Sequence, residues 1–186
     1  MQTLLSFTAA LPSALEQGLL YAVMALGVMI TYLVLDFPDL TVDGSFPLGA
    51  VVTARLILSG ASPINALLAS ALAGALAGLC TGLIHVKLKV RDLFSGIIMM
   101  TALYSINLRL AGDSALLAIP RQSVTLFRNN ALASALPPAY STLILALTAA
   151  LFVKVLLDLF FKTRAGFLLR AAGDNPQVVI ALSRDK

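Results

Sequence analysis

The chain has 186 residues, of which 59% are hydrophobic and 12% charged, with a mean hydropathy of +0.94. Soluble domains average about 45 to 50% apolar and about 25% charged residues, so a soluble domain is excluded, and intrinsic disorder fails on the same apolar content. The formal charge of +4 is 13 Lys+Arg against 9 Asp+Glu, and a lone Cys80 and a lone His85 leave no disulfide scaffold and no ligand set for a metal; no metal and no cofactor is expected.

A membrane helix needs about 20 apolar residues, so this length predicts an all-α integral membrane protein of about five spans. The first span covers residues 11–35, with Glu16 near its start as an interfacial group. The tail before it has no Lys or Arg, which a secretory signal would need, so it reads as the beginning of a retained helix. Residues 36–47, DFPDLTVDGSFP, carry three acids and two prolines; a helix is not expected to run through them unbroken. The segment at 36–43 is either a loop or a re-entrant, broken helix. The apolar stretch 48–58 is too short to span unless it begins inside the DGSF turn, so the second helix is expected to be short or broken.

The third span covers 64–86 and the fourth 93–110. A mixed loop with Arg121, Arg128, Pro120, Pro137 and Pro138 follows at 111–140, then the fifth span at 141–161 and a polar tail at 162–186. These bounds divide the chain into a transmembrane domain at 1–161 and a cytoplasmic tail segment at 162–186. Basic residues of short loops mark the cytoplasmic side. Lys87, Lys89 and Arg91 fill the loop between spans three and four, and Lys162, Arg164, Arg170, Arg184 and Lys186 fill the tail. Two crossings separate these segments, so both fall inside, and five crossings place the N-terminus outside.

Gly74, Gly78 and Gly82 recur every four residues on the third span. Small-residue stripes let helices approach closely in lipid, so this one serves either ordinary bundle packing or a moving or dimeric interface. Cys80 on the same span reads as a small buried residue without a redox role. On the fourth span Thr101, Tyr104, Ser105 and Leu108 share a face, with Asn107 beside them. That pattern predicts a polar stripe turned into the bundle, either lining a path or hydrogen-bonding between helices. Lys154 and Asp158 are four apart on the fifth span, and Lys154 lies about 12 Å from Lys162 by the helical rise. They form a self-neutralising pair or a coupling element.

No nucleophile, base and orienter come together in the sequence, and no Walker-type phosphate loop is present. The chain is therefore expected not to be an enzyme, and any ATP hydrolysis would sit in a separate partner. The tail TRAGFLLRAAGDNP begins as a helix, meets the breaker AGDNP at 172–176, and offers Asp174 or Asn175 as a cap with Pro176 at the first position of a second helix. Two short amphipathic helices at the inner membrane face make a docking element for a soluble partner, or an interfacial helix touching only headgroups.

This tail resembles the cytoplasmic coupling segment of permease subunits of bacterial ABC importers, the branched-chain amino acid and simple-sugar permease superfamily, through its T-R-x-G and R-A-x-G-x-N-P pattern. The matching positions are Thr163, Arg164, Gly166, Arg170, Ala171, Gly173, Asn175 and Pro176. SGIIMMTALYSINLRLAG at 95–112 and LDFPDLTVDGSFPLGA at 35–50 are similar to the tryptophan/tyrosine-type branch of that superfamily. The resemblance implies a permease dimer that works with a pair of ATPase subunits through the tail. It also implies an extracytoplasmic binding protein that delivers a small, amino acid-like solute, and a bacterial inner membrane location. No nucleic acid partner is expected. Thr41, Asp43, Ser45, Tyr104, Ser105 and Asn107 are the expected path residues. Family members continue with about three further helices where this chain ends, so it is expected to be a truncated permease or half of a split one. A small homo-oligomeric transporter or channel, assembled through Gly74, Gly78 and Gly82 and independent of ATP, is the alternative.

Overall fold

The computed structural model describes residues 2–114, 116–120, 122–130, 134–137 and 140–174, with side chains from residue 10 onward. Arg121, Pro138, Asn175, Pro176, Arg184 and Lys186 lie outside the described residues. Those described form helices and turns without a strand: α1 (Gln2–Met29), a π-helical turn (Ile30–Val34), α2 (Val42–Leu58), α3 (Pro63–Leu88), α4 (Asp92–Ala111), α5 (Ser141–Phe161) and α6 (Arg164–Asp174). Among the described residues, four segments are long and apolar enough to cross a membrane: Ala10–Val34, α3, α4 and α5, with mean hydropathies of 1.8, 2.0, 1.4 and 2.4. At 17 residues α2 is the short one; its length of about 25 Å falls below the roughly 30 Å hydrocarbon core.

The chain forms two compact units, residues 1–37 with 135–186 and residues 38–134. In the first, α1 packs along α5, and α6 rests on α5 and on the π turn. The π turn has a direct signature: Leu35 N–H donates to the Ile30 carbonyl at 3.1 Å, five residues back, and Phe37 N–H to Thr31 at 2.9 Å. Asp36 then takes a left-handed conformation (φ 53°) and ends the helix. Such a conformation is uncommon for residues other than glycine, and Asp is among those that tolerate it.

In the second unit α2, α3 and α4 pack on one another as an up-down-up bundle. Ser62 caps α3 by accepting the Asn65 N–H at 3.3 Å, ahead of Pro63 at the first helical position. Lys89 closes α3 in the left-handed region (φ 54°), and His85 Nδ1 lies 2.9 Å from the Val90 carbonyl. A carbonyl only accepts, so this nitrogen carries the proton. Gly112 (φ 84°) closes α4, and Arg55 of α2 donates to the Leu110 carbonyl, placing a cation where the α4 dipole is negative. The core is small: Leu48, Ala77 and Leu103, with Val52, Ala73 and Met99 against them.

The expected break falls at residues 35–41: the second helix begins at Val42 and carries Pro47 inside it. Pro47 removes the bond to the Asp43 carbonyl and its ring crowds that carbonyl. Two other expectations are corrected. The tail helix runs through Gly173 to Asp174, three residues into the expected breaker. Cys80 is exposed rather than buried, because α3 turns Ala66, Ala73, Ala77 and Thr81 toward its neighbours. The glycine stripe lies off that packed face: a Cβ at Gly74, Gly78 or Gly82 would meet nothing within 4 Å.

Candidate translocation site

The start of α2 is fixed against both neighbouring helices of its unit. Asp39 Oδ1 accepts the Thr41 N–H at 2.8 Å, tying the approach of the chain to the helix. Thr41, 2% exposed, places its hydroxyl 2.8 Å from that of Thr81 on α3. The Thr81 hydroxyl donates to the Ala77 carbonyl at 3.1 Å, so Thr41 is the donor in the pair. Two glycines bring α4 close on the other side. A Cβ on Gly44 would stand 2.9 Å from Leu103 Cβ and 3.2 Å from Met100 Cα, and one on Gly96 would stand 2.9 Å from the Leu40 nitrogen. Both approaches are tighter than a side chain there permits.

Asn107 reaches across this junction, with Nδ2 donating to the Gly44 carbonyl at 2.9 Å. Because that carbonyl can only accept, the amide orientation is settled and Oδ1 points the other way. Asn107 is 9% exposed, and its Oδ1 is buried with no hydrogen-bond partner among the described residues. A buried unpaired acceptor costs about 1 to 3 kcal/mol.

Beside it lies a groove of about 440 Å³ between α2 and α4, lined by Asp43, Thr101, Tyr104, Asn107 and Ser114 and by the apolar Pro47, Val51, Met100 and Leu108. Of the expected path residues, the groove brings together Asp43, Tyr104 and Asn107. Thr41 is locked away on α3, while Ser45 and Ser105 are not among its walls. The packed face of α4 is Ser95, Met99, Leu103, Asn107 and Ala111, spaced by four. Thr101, Tyr104 and Ser105 lie off it and are exposed, and the Thr101 hydroxyl bonds back to the Ile97 and Ile98 carbonyls. Thr81, Gly44 and Gly96, which shape the junction, were not among the expected site residues. The small residues in DGS and SG were the signal for the two glycines.

The other unit holds the tail segment. Thr163 caps α6: its hydroxyl donates to the Phe160 carbonyl at 2.6 Å and accepts the Gly166 N–H at 3.3 Å. Gly166 is pressed against the Phe160 and Phe161 backbone and Gly173 against Val34 and Leu35, with no room for a Cβ at either. The Arg170 guanidinium stands 4.9 Å from the Phe161 ring centroid. Arg164, Phe167 and Leu168 face outward around a shallow surface pocket, and Ala171 is half-buried. On α5, Lys154 and Asp158 pair at 2.7 Å and are both exposed.

Four membrane-length helices among the described residues, with a broken segment between the first and the second, define a multi-pass membrane protein. Residues 11–185 match the family described as branched-chain amino acid transport system / permease component, and the chain belongs to that family. It is 43% identical over 170 residues to a tyrosine transport system permease protein of Clostridioides difficile (strain R20291), covering 91% of this chain and 54% of that protein. It is 31% identical over 172 residues to an uncharacterized protein of Rickettsia prowazekii (strain Madrid E), covering 92% of this chain and 58% of that one. The chain thus spans a little over half the length of these curated relatives. No solved structure matches it.

Proposed function

We propose that the chain is the membrane-spanning part of an ATP-driven importer of a tyrosine-like amino acid. In this reading two permease copies form the path, an extracytoplasmic binding protein delivers the solute, and ATPase subunits dock on the segment 162–186. The orientation follows from the charges, with the N-terminus outside and the tail in the cytoplasm of a bacterial cell. The transported solute is taken from the Clostridioides difficile relative, whose name assigns it to tyrosine transport.

The observation that carries the docking reading is the two-sidedness of α6. Gly166, Arg170 and Gly173 are spent on the chain's own helices, while Arg164, Phe167 (71% exposed) and Leu168 (52% exposed) stay outside. An aromatic and an aliphatic group beside a cation form the kind of anchor that protein interfaces favour. Co-expression of the chain with the ATPase subunit of the same system tests it. F167D is expected to lower co-purification of the ATPase at least about tenfold, the scale of a lost interface anchor, without changing membrane insertion of the chain. Undiminished co-purification with F167D and with R164E would refute docking through this helix.

A further inference from the structure

The groove between α2 and α4 has a chemistry that goes beyond a path for small solutes, and its interpretation rests on the permease reading above. Gly44 packs against Met100 and Leu103, at the middle of the 20-residue span of α4. The groove therefore runs from near the mid-height of a helix about 30 Å long, at Met100, to that helix's C-terminal end, where Ala111 and Ser114 line it. Asp43, the residue before Gly44, lines it there, and its carboxylate has neither an ion pair nor a hydrogen bond among the described residues. Ionisable groups at membrane depth are costly and are kept for function.

No Lys, Arg or His lines the groove. Asn107, one of the lining residues, carries in Oδ1 a buried acceptor without a partner among the described residues, and Pro47 deprives the Asp43 carbonyl of its i+4 donor. Donors that could hold an anion at the start of α2 are already used: Thr41 N–H by Asp39, Asp43 N–H by Leu40, and Gly44 N–H by Thr41. The site therefore offers acceptors and one negative charge, and it needs a cationic donor. Its volume falls in the range of small-ligand pockets, about 300 to 1,000 Å³, and the apolar walls of Pro47, Val51, Met100 and Leu108 suit a hydrocarbon or aromatic body.

The geometry points to a transit site for a primary ammonium group, bound by the Asp43 carboxylate with Asn107 Oδ1 as second acceptor. The solute is thus read by its amino end, and its carboxylate meets no cation in this groove.

Equilibrium binding to the full chain in nanodiscs tests this with three probes: L-tyrosine, tyramine, which lacks the carboxylate, and 3-(4-hydroxyphenyl)propionate, which lacks the amine. L-tyrosine and tyramine should bind, and the amine-free acid should bind at least about tenfold more weakly, the scale of a charge-assisted hydrogen bond. D43N should weaken tyramine by at least about tenfold, and D43E should restore part of it. A second readout avoids substitution of Asp43: in C80A/T101C, tyramine should slow maleimide labelling of the groove cysteine and the amine-free acid should not. The inference is overturned if no probe binds the wild-type chain, if D43N binds tyramine as the wild type does, or if tyramine leaves labelling unchanged. ATP-coupled L-tyrosine uptake that survives D43N would remove this site and leave the permease reading standing. Asp43-dependent tyramine binding without L-tyrosine uptake would do the reverse.

Discussion

At the scale of single residues, the second unit is held by a few contacts in which one methyl group or one hydroxyl matters. Gly44→Ala would place a Cβ 2.9 Å from that of Leu103, with backbone on its other side. Overpacking of this kind costs about 1 to 3 kcal/mol, so thermal unfolding in detergent should shift downward, and an unchanged midpoint would show that α2 and α4 do not meet there. The Thr41–Thr81 hydrogen bond admits a double-mutant cycle. Thr81→Val leaves the buried Thr41 hydroxyl without its acceptor and should cost about 1 to 3 kcal/mol. Adding Thr41→Val should recover part of that loss, since replacing both partners removes the unpaired group. Additive losses would contradict the pairing. Asn107 could be seen in the sequence as a polar residue in a span, but the direction of its amide could not, because that depends on a carbonyl 63 residues away.

At the scale of elements, the sequence carried the span order well, because runs of 20 apolar residues bounded by Pro, Gly and charge leave few alternatives. The break before α2 was legible in its acids and prolines, but its extent was not, because Asp, Gly and Pro read as a turn in isolation, whereas here Gly44 is a packing residue and Pro47 sits within a helix. Two elements departed for local reasons. The end of α6 was hidden because Gly173 reads as a breaker but serves a backbone contact with Val34. The face of α4 was mis-phased because polarity suggested Thr101, Tyr104 and Ser105, while packing selected Ser95, Leu103 and Asn107. The groove was thus legible in Asp43, Tyr104 and Asn107 as residue types, and its geometry came only from the glycines. A prediction belongs to this scale: Gly173→Val should release α6 from the π turn, seen as faster proteolysis within residues 164–174, whereas unchanged cleavage would place α6 elsewhere. The pair on α5 gives another. Lys154→Met alone strands the Asp158 carboxylate and should lower membrane-inserted yield, and Lys154→Met with Asp158→Leu should restore it.

At the scale of the whole molecule, exposed leucines, valines and phenylalanines cover much of α3 and α5, as expected of surfaces that meet lipid or other membrane helices. The chain belongs to the branched-chain amino acid permease family, and in the proposed function its energy comes from a separate ATPase subunit. The proposed orientation predicts that cysteines introduced at Lys87 and Lys162 are reached by impermeant reagents from the cytoplasmic side and one at Ser114 from the outside; the opposite pattern would invert the topology. The most direct measurement is uptake of radiolabelled L-tyrosine into proteoliposomes holding the chain, its ATPase subunit and its binding protein. The account predicts accumulation above the external concentration that requires ATP inside the coupling compartment and is lost with D43N. Equilibration without ATP, at the same rate with and without the ATPase subunit, would contradict it.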